Sequence, residues 1–459
     1  MEEIKGNKLA TMPMGKLIAS MALPGIVAML IQALYNIVDS IFVAMISEKA
    51  LLAVSLAFPL QMLMISVGVG TGVGLNSLIS RRLGEKNIDE AGNAATHGIV
   101  LAVISGLLFL LLALVVTGPY FHAFTNDPEV FSGGVIYTRI ALGLACFPIV
   151  SMSAEKTIQA TGNMLFPMVQ NLAGAVTNLI LDPIMIFGLL GFPRMGVAGA
   201  ALATVIGQGV SMVIGLIVMF RHNHGLRISF RGFRFSGYIV GQIYQVGFPA
   251  IVMQAISSIM LAGMNGILNT LSATAVAVFG IYFKLQSFIF MPVFGLTQGA
   301  MPVLGYNYGA RNRHRLISAY KITFISAFCI MVLGTILFWA IPDKLLTLFS
   351  ASEDMLKIGV PALRFISLSF VGAAFGIVNS TLFQAVGRGI DSLIVSVARQ
   401  LVVILPVAFV LAKLFGMPGV WMAFPIAEIA AFLVSLGLLW RIYNKDLRHL
   451  TPEVESSAA

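Results

Sequence analysis

Few ionisable side chains stand inside the long apolar runs of this chain, and Asp39, Asp182, Lys284, Arg399 and Glu428 are the ones that could do chemistry there. An ionisable group in lipid costs from about 2.5 kcal/mol upward, so each is a functional candidate by default. Asp39 lies late in the first apolar run, Asp182 late in the fifth, and Thr204 in the sixth. At about 1.5 Å per helical residue all three fall on the order of 10–14 Å below the outer surface. Asn178 precedes Asp182 by four residues, which places both side chains on one helical face. Two carboxylates, an amide and a hydroxyl at one depth can form an oxygen-rich site for Na⁺, or a carboxylate cluster able to carry H⁺. The plainer alternative is polar glue between helices.

In the second half, Lys284 and Glu428 enter to similar depth and are expected to pair; a lysine snorkelling to the headgroups is the alternative for Lys284. Gln32, Gln61, Phe279, Phe283, Gln286, Met291 and Arg399 complete the candidates for an adaptable substrate cavity. Pro24 and Pro183 each remove an N–H inside a helix and are hinge candidates. The glycines of 68–74 lack the strand–turn–helix setting of a phosphate loop and read as close helix packing. His122, His222, His224, His314 and His449 show no metal-ligand spacing, and Cys146 and Cys329 sit in apolar runs. No cofactor is expected, and no metal beyond Na⁺.

These residues need helices long enough to cross lipid. The 459 residues are 58% hydrophobic and 10% charged, with a mean hydropathy of +0.94, which leaves too little polar surface for a soluble protein. A spanning helix takes roughly 20 apolar residues, and about a dozen such runs are present. We expect an all-α membrane protein with helices near 17–46, 51–80, 93–117, 133–154, 164–190, 195–220, 240–270, 275–306, 316–341, 358–385, 391–415 and 418–440. With both termini cytoplasmic, 19 of the 28 lysines and arginines, Lys5 among them, fall on the cytoplasmic side. The net charge of +9 therefore reflects topology and gives no support for a nucleic-acid partner.

The runs divide six and six about a basic linker, 222–238, giving an N-lobe at 17–221, a C-lobe at 239–441 and cytoplasmic tails at 1–16 and 442–459. An offset of 225 pairs Pro24 with Pro249, Gln61 with Gln286, Gly70 with Gly295 and Gly74 with Gly299. It also pairs Gly84-x-x-Asn87 with Gly309-x-x-Asn312 and Gln159-Ala160-x-Gly162 with Gln384-Ala385-x-Gly387. With six spans each, the halves are parallel six-helix repeats, an architecture of alternating-access transporters.

Leu34-Tyr-Asn-Ile-Val-Asp39-Ser-Ile-Phe-Val43, Ala53-Val-Ser-Leu-Ala-Phe-Pro59 and Ser80-Arg-Arg-Leu-Gly-Glu-Lys86 resemble segments of the multidrug and toxic compound extrusion (MATE) family. So do Gln159-Ala-Thr-Gly-Asn163, Asn178-Leu-Ile-Leu-Asp-Pro183, Gly196-Val-Ala-Gly-Ala-Ala-Leu-Ala-Thr204 and Gln384-Ala-Val-Gly387. The likeness runs from about Lys16 to Trp440 and is nearest to the bacterial MepA-like branch. It implies a twelve-helix antiporter of the bacterial cytoplasmic membrane, exchanging Na⁺ or H⁺ inward for small organic, often cationic, compounds outward. It implies a first-lobe cation site at Asp39, Asn178, Asp182 and Thr204. The acids that other branches carry in the seventh and tenth helices are absent here, where Met260, Leu261 and Met264 occupy the seventh. A monomer is expected. A lipid-linked precursor flippase would want a wider cationic cavity than Lys284 and Arg399 provide, and a membrane enzyme would need a catalytic cluster at one face.

Overall fold

The computed structural model describes residues 8–221, 225, 226, 228–231, 233–349 and 351–450. Lys5, with the rest of 1–7, the linker residues His222, Asn223, His224, Arg227 and Gly232, and the tail residues 451–459 lie outside the described residues.

All regular structure among the described residues is helical. The first half contains α1 (Lys8–Thr11), α2 (Met14–Ala44), α3 (Glu48–Gly84), α4 (Ile88–Phe124), α5 (Pro128–Gly143), α6 (Cys146–Ala160), α7 (Leu165–Phe187) and α8 (Val197–Arg221). The second contains α9 (Gly237–Leu271), α10 (Ala273–Gly309), α11 (Arg313–Ala340), α12 (Pro342–Thr347), α13 (Glu353–Ala385), α14 (Gly389–Val397), α15 (Ile404–Phe415) and α16 (Met417–Ile442). A π turn, Ala398–Val403, joins α14 to α15 within one span. Among the described residues, eleven stretches are long and apolar enough to cross a membrane, or twelve when α5 and α6, bent by 41°, count as one. The continuous fourth helix expected at 133–154 is thus broken at Leu144, where the chain leaves α5 before α6 begins at Cys146.

The repeated Gly-x-x-Asn motif has one structural meaning in both halves. Gly84 ends α3 and Gly309 ends α10. Lys86 and Arg311 then turn the chain with φ of 60° and 53°, and Asn87 and Asn312 cap the next helix by accepting the N–H of Glu90 and of Arg315, each at 3.1 Å. A left-handed residue followed by an N-cap reverses the chain in two steps, so the motif fixes where each second helix stops.

Residue contacts divide the chain into two units, one holding Val27–Ile251 and the other residues 8–26 and 252–450. The division therefore differs from the linker-based lobes: 17–26 belong to the second unit and 239–251 to the first. The breaks fall two residues beyond Pro24 and two beyond Pro249, at the same repeat position. Paired glycines explain this. Within the first unit a Cβ on Gly74 would lie 2.1 Å from the Ile243 carbonyl oxygen, and one on Gly70 2.8 Å from that of Gly247. Within the second, a Cβ on Gly299 would lie 2.6 Å from the Met21 backbone, and one on Gly295 2.5 Å from that of Ile26. Only glycine permits backbones this close, so these positions seat α9 on α3 and α2 on α10.

The linker is held to the first unit by a histidine that the sequence had not singled out. His97 on α4 is fully buried, its Nδ1 lying 2.9 Å from the Asn93 carbonyl while its Nε2 accepts the Ser236 N–H at 2.8 Å. A carbonyl can only accept and an N–H only donate, so the ring is the Nδ1–H tautomer. Phe233 and Phe235 pack on it at centroid distances of 4.7 and 5.6 Å.

Candidate functional site

The α7–α8 hairpin builds the first site. Gly188 at φ 74° ends α7, and the returning chain donates from Met195 N to Met185 O at 3.0 Å, which starts α8 back along its neighbour. A Cβ on Gly207 would lie 2.7 Å from the Gly174 carbonyl oxygen and 3.1 Å from Asn178 Cβ, so this glycine lets α8 approach until Thr204 meets Asn178. The Asn178 amide is oriented by its partners: its nitrogen donates to Asp182 Oδ2 at 2.9 Å, and its oxygen accepts from the Thr204 N–H at 3.0 Å. The Thr204 hydroxyl also reaches the Ala200 carbonyl at 2.9 Å. Asp182 is fully buried and Asn178 nearly so.

Asp39 on α2 meets this pair from the other side. Its carboxyl lies within hydrogen-bonding reach of that of Asp182, yet its buried Oδ1 finds no donor. Two carboxylate oxygens are both acceptors, so they hydrogen-bond to one another only when one of them carries a proton. Asp39, Asp182 and Thr204, which share a depth, and Asn178, which shares a helix face with Asp182, are thus brought together.

Two residues that the sequence did not single out complete the surroundings. Tyr35, one turn before Asp39 on the same face, hydrogen-bonds to Thr204. Tyr137, 4% exposed, accepts from Gln61 Nε2 at 3.2 Å and lies close enough to both acids to interact electrostatically. The four-residue spacing from Asp39 would have found Tyr35. Nothing local in the sequence points from Tyr137 to either acid. Gln61 therefore belongs to this acid site through Tyr137, while Gln32 is exposed on α2.

The second-half candidates separate. Arg399, Glu428, Phe283 and Gln286 line one cavity of the second unit. The expected Lys284–Glu428 pair is not formed: Lys284 is exposed, its Nζ 6.0 Å from the centre of the Phe349 ring, and Glu428 meets Arg399 instead. Lys284 does not line that cavity. Phe279, 1% exposed, is packed against Tyr282, Phe283, Trp421 and Phe424 as core, and neither it nor Met291 lines the cavity. Of the hinge candidates, Pro24 lies within α2 beside the unit boundary and Pro183 within α7, which continues to Phe187.

Two sets of helices long and apolar enough to cross a membrane, related by a sequence repeat and carrying acids within the spans, are the build of a polytopic membrane transporter. The chain belongs to the MatE family, whose model matches residues 24–184 and 249–410. It is 26% identical over 425 residues to the multidrug export protein MepA of Staphylococcus haemolyticus, covering 92% of this chain and 93% of that protein. MepA of Staphylococcus aureus is 25% identical over 434 residues, covering 94% and 95%. Among solved structures, an outward-facing multidrug resistance MATE transporter of the MOP superfamily superposes with a TM-score of 0.90 at 29% identity, covering 97% of this chain and 99% of that one. A MOP superfamily transporter from Pyrococcus furiosus, described as having a binding pocket of reversed polarity, superposes with a TM-score of 0.90 at 28% identity and the same coverage.

Proposed function

We infer that this chain is a multidrug efflux transporter of the MOP superfamily, a multi-pass protein of the bacterial cytoplasmic membrane. It exchanges Na⁺ or H⁺ for organic compounds by exposing its sites alternately to the two sides of the membrane. The observation that carries the exchange reading is the facing pair Asp39 and Asp182, one half-buried and one fully buried acid on helices long enough to cross lipid, with Asn178 and Thr204 beside them. A cation entering between the carboxylates neutralises them and favours the packing of α2, α7 and α8 that binds it best. Coupling requires different affinity for the cation in the two arrangements, since equal affinity shifts nothing. The basic linker and tails put both termini in the cytoplasm, and one chain carries both repeats, so a monomer suffices. The test is a proteoliposome loaded with ethidium, with Na⁺ and H⁺ gradients imposed separately. Export under one gradient, with ethidium recovered unchanged, is expected; ethidium movement indifferent to both gradients would overturn the exchange.

A further inference from the structure

The second unit holds a partly open cavity that combines aromatic side chains with one acid and one guanidinium. It is lined by Tyr282, Phe283, Phe290 and Phe424 and by Arg399 and Glu428. Glu428 is 7% exposed, and its Oε1 is buried without a donor. Its Oε2 meets Arg399 Nη1 only at 3.5 Å, the outer limit of a hydrogen bond. The Arg399 side chain is 30% exposed and sits in the π turn, a local unwinding that often accompanies functional sites. Gly372 leaves the room: a Cβ there would lie 2.5 Å from Glu428 Cγ.

By the repeat, Gln286 stands at the position of Gln61 and Met260 at that of Tyr35, while Asp39 and Asp182 correspond to Met264 and Val407, so the acid of this cavity, Glu428, enters from a position of its own. Where the first half gathers two acids, the second sets an acid against a guanidinium. An unsatisfied buried acceptor beside a loosely held, five-donor guanidinium calls for a ligand that brings a donor to one and an acceptor to the other.

We propose that this cavity binds an aromatic amino acid or a similar zwitterion, its ammonium on Glu428, its carboxylate on Arg399 and its ring among the aromatic side chains. The closeness of Arg399 to Glu428 requires the ligand's two charges to be close as well, which an ammonium and a carboxylate on one carbon satisfy. A lone cation would leave the guanidinium without its acceptor, and a lone anion would leave Glu428 without its donor. The proposal names a ligand class for the efflux reading and rests on that reading only for the export of the bound ligand.

The test is calorimetric titration of the purified full chain with three matched probes: 2-naphthylalanine, its amide, and 3-(2-naphthyl)propanoate. The zwitterion is expected to bind at least about 30-fold more tightly than either singly charged analogue. The double substitution Arg399→Gln/Glu428→Gln leaves no charge unpaired, so the fold should survive while the zwitterion's advantage disappears. Equal affinity for amide or propanoate, an advantage undiminished in the double variant, or no zwitterion binding at all would overturn the proposal. If the double variant does not fold, the three-probe series on the unmodified chain decides alone. Ethidium efflux by the same protein reads the exchange separately: efflux without zwitterion binding sinks this proposal, and zwitterion binding without gradient-driven efflux sinks the exchange reading.

Discussion

Asp39 and Asp182 face each other within hydrogen-bonding reach although neither residue's helix supplies a positive side chain to the pair. At an effective dielectric of about 20, two unit charges about 4 Å apart repel by about 4 kcal/mol. On the exchange reading proposed above, a cation between the two carboxylates removes that repulsion, an amount large enough to bias a conformational equilibrium.

Asn178 donates to the Asp182 carboxyl and bridges it to Thr204. Replacing it with alanine takes that donor from a fully buried carboxyl, and we expect Asn178→Ala to cost about 1–3 kcal/mol. Thr204→Val removes one hydroxyl, which donates to the Ala200 carbonyl and is the partner of Tyr35, at about 1–1.5 kcal/mol. Thermal unfolding of the purified variants in one detergent should rank Asn178→Ala below Thr204→Val; the reverse order would mean that Asn178 does not organise the site.

Gly74→Ala and Gly299→Ala should each destabilise by about 1–3 kcal/mol, because the added methyl meets backbone atoms that cannot rotate away. Gly437, where a Cβ meets nothing within 4 Å, is the control, and Gly437→Ala should be neutral or stabilising by up to about 1 kcal/mol. Denaturant or thermal midpoints for the three check this. A Gly74→Ala protein as stable as Gly437→Ala would show that the close approach of α9 to α3 is not obligatory.

A loop outside the spans gives a pH signature. Asp127 caps α5 by accepting from the N–H groups of Glu129 and Val130 at 2.9 and 3.3 Å and pairs with Lys49 at 2.9 Å. The hydrogen bond from Lys49, then those from the two backbone amides, hold the Asp127 carboxyl below its ordinary value of 3.8. A group lowered on folding stabilises fully above its unfolded value and loses that contribution as pH falls through the folded one. Asp127→Ala should therefore lower the melting temperature modestly at neutral pH, with the difference from the unsubstituted chain shrinking below pH 3.8. A difference that persists unchanged in acid would place its origin in something other than the ionised carboxylate.

Much of this was legible from residue types and spacing. Lipid demands internally bonded helices, so apolar run length located the spans, and the Asn178–Asp182 spacing fixed a shared face. The 225-residue offset marked Gly70, Gly74, Gly295 and Gly299 before their purpose was visible. What escaped depends on direction and distance across the fold. Depth along a helix says nothing of azimuth, so Lys284 and Glu428 matched in level but not in facing. The π turn that carries Arg399, the bend between α5 and α6, and the approach of Tyr137 to the acids arise from packing between segments far apart in the chain. The unit boundary inside an unbroken α2 was signalled only by Pro24 and its repeat partner Pro249, which mark a position without saying that contacts divide there.

The most direct measurement of the central claim is ethidium export from proteoliposomes by the unmodified chain, Asp39→Asn and Asp182→Asn under the same imposed cation gradient. Asparagine keeps the size and hydrogen bonding of aspartate but can neither titrate nor neutralise a cation. Each variant is expected to remain folded, by its melting curve and elution profile, and to lose gradient-driven export. Export at the unmodified rate by either folded variant would contradict the account and return that aspartate to a purely structural contact between helices.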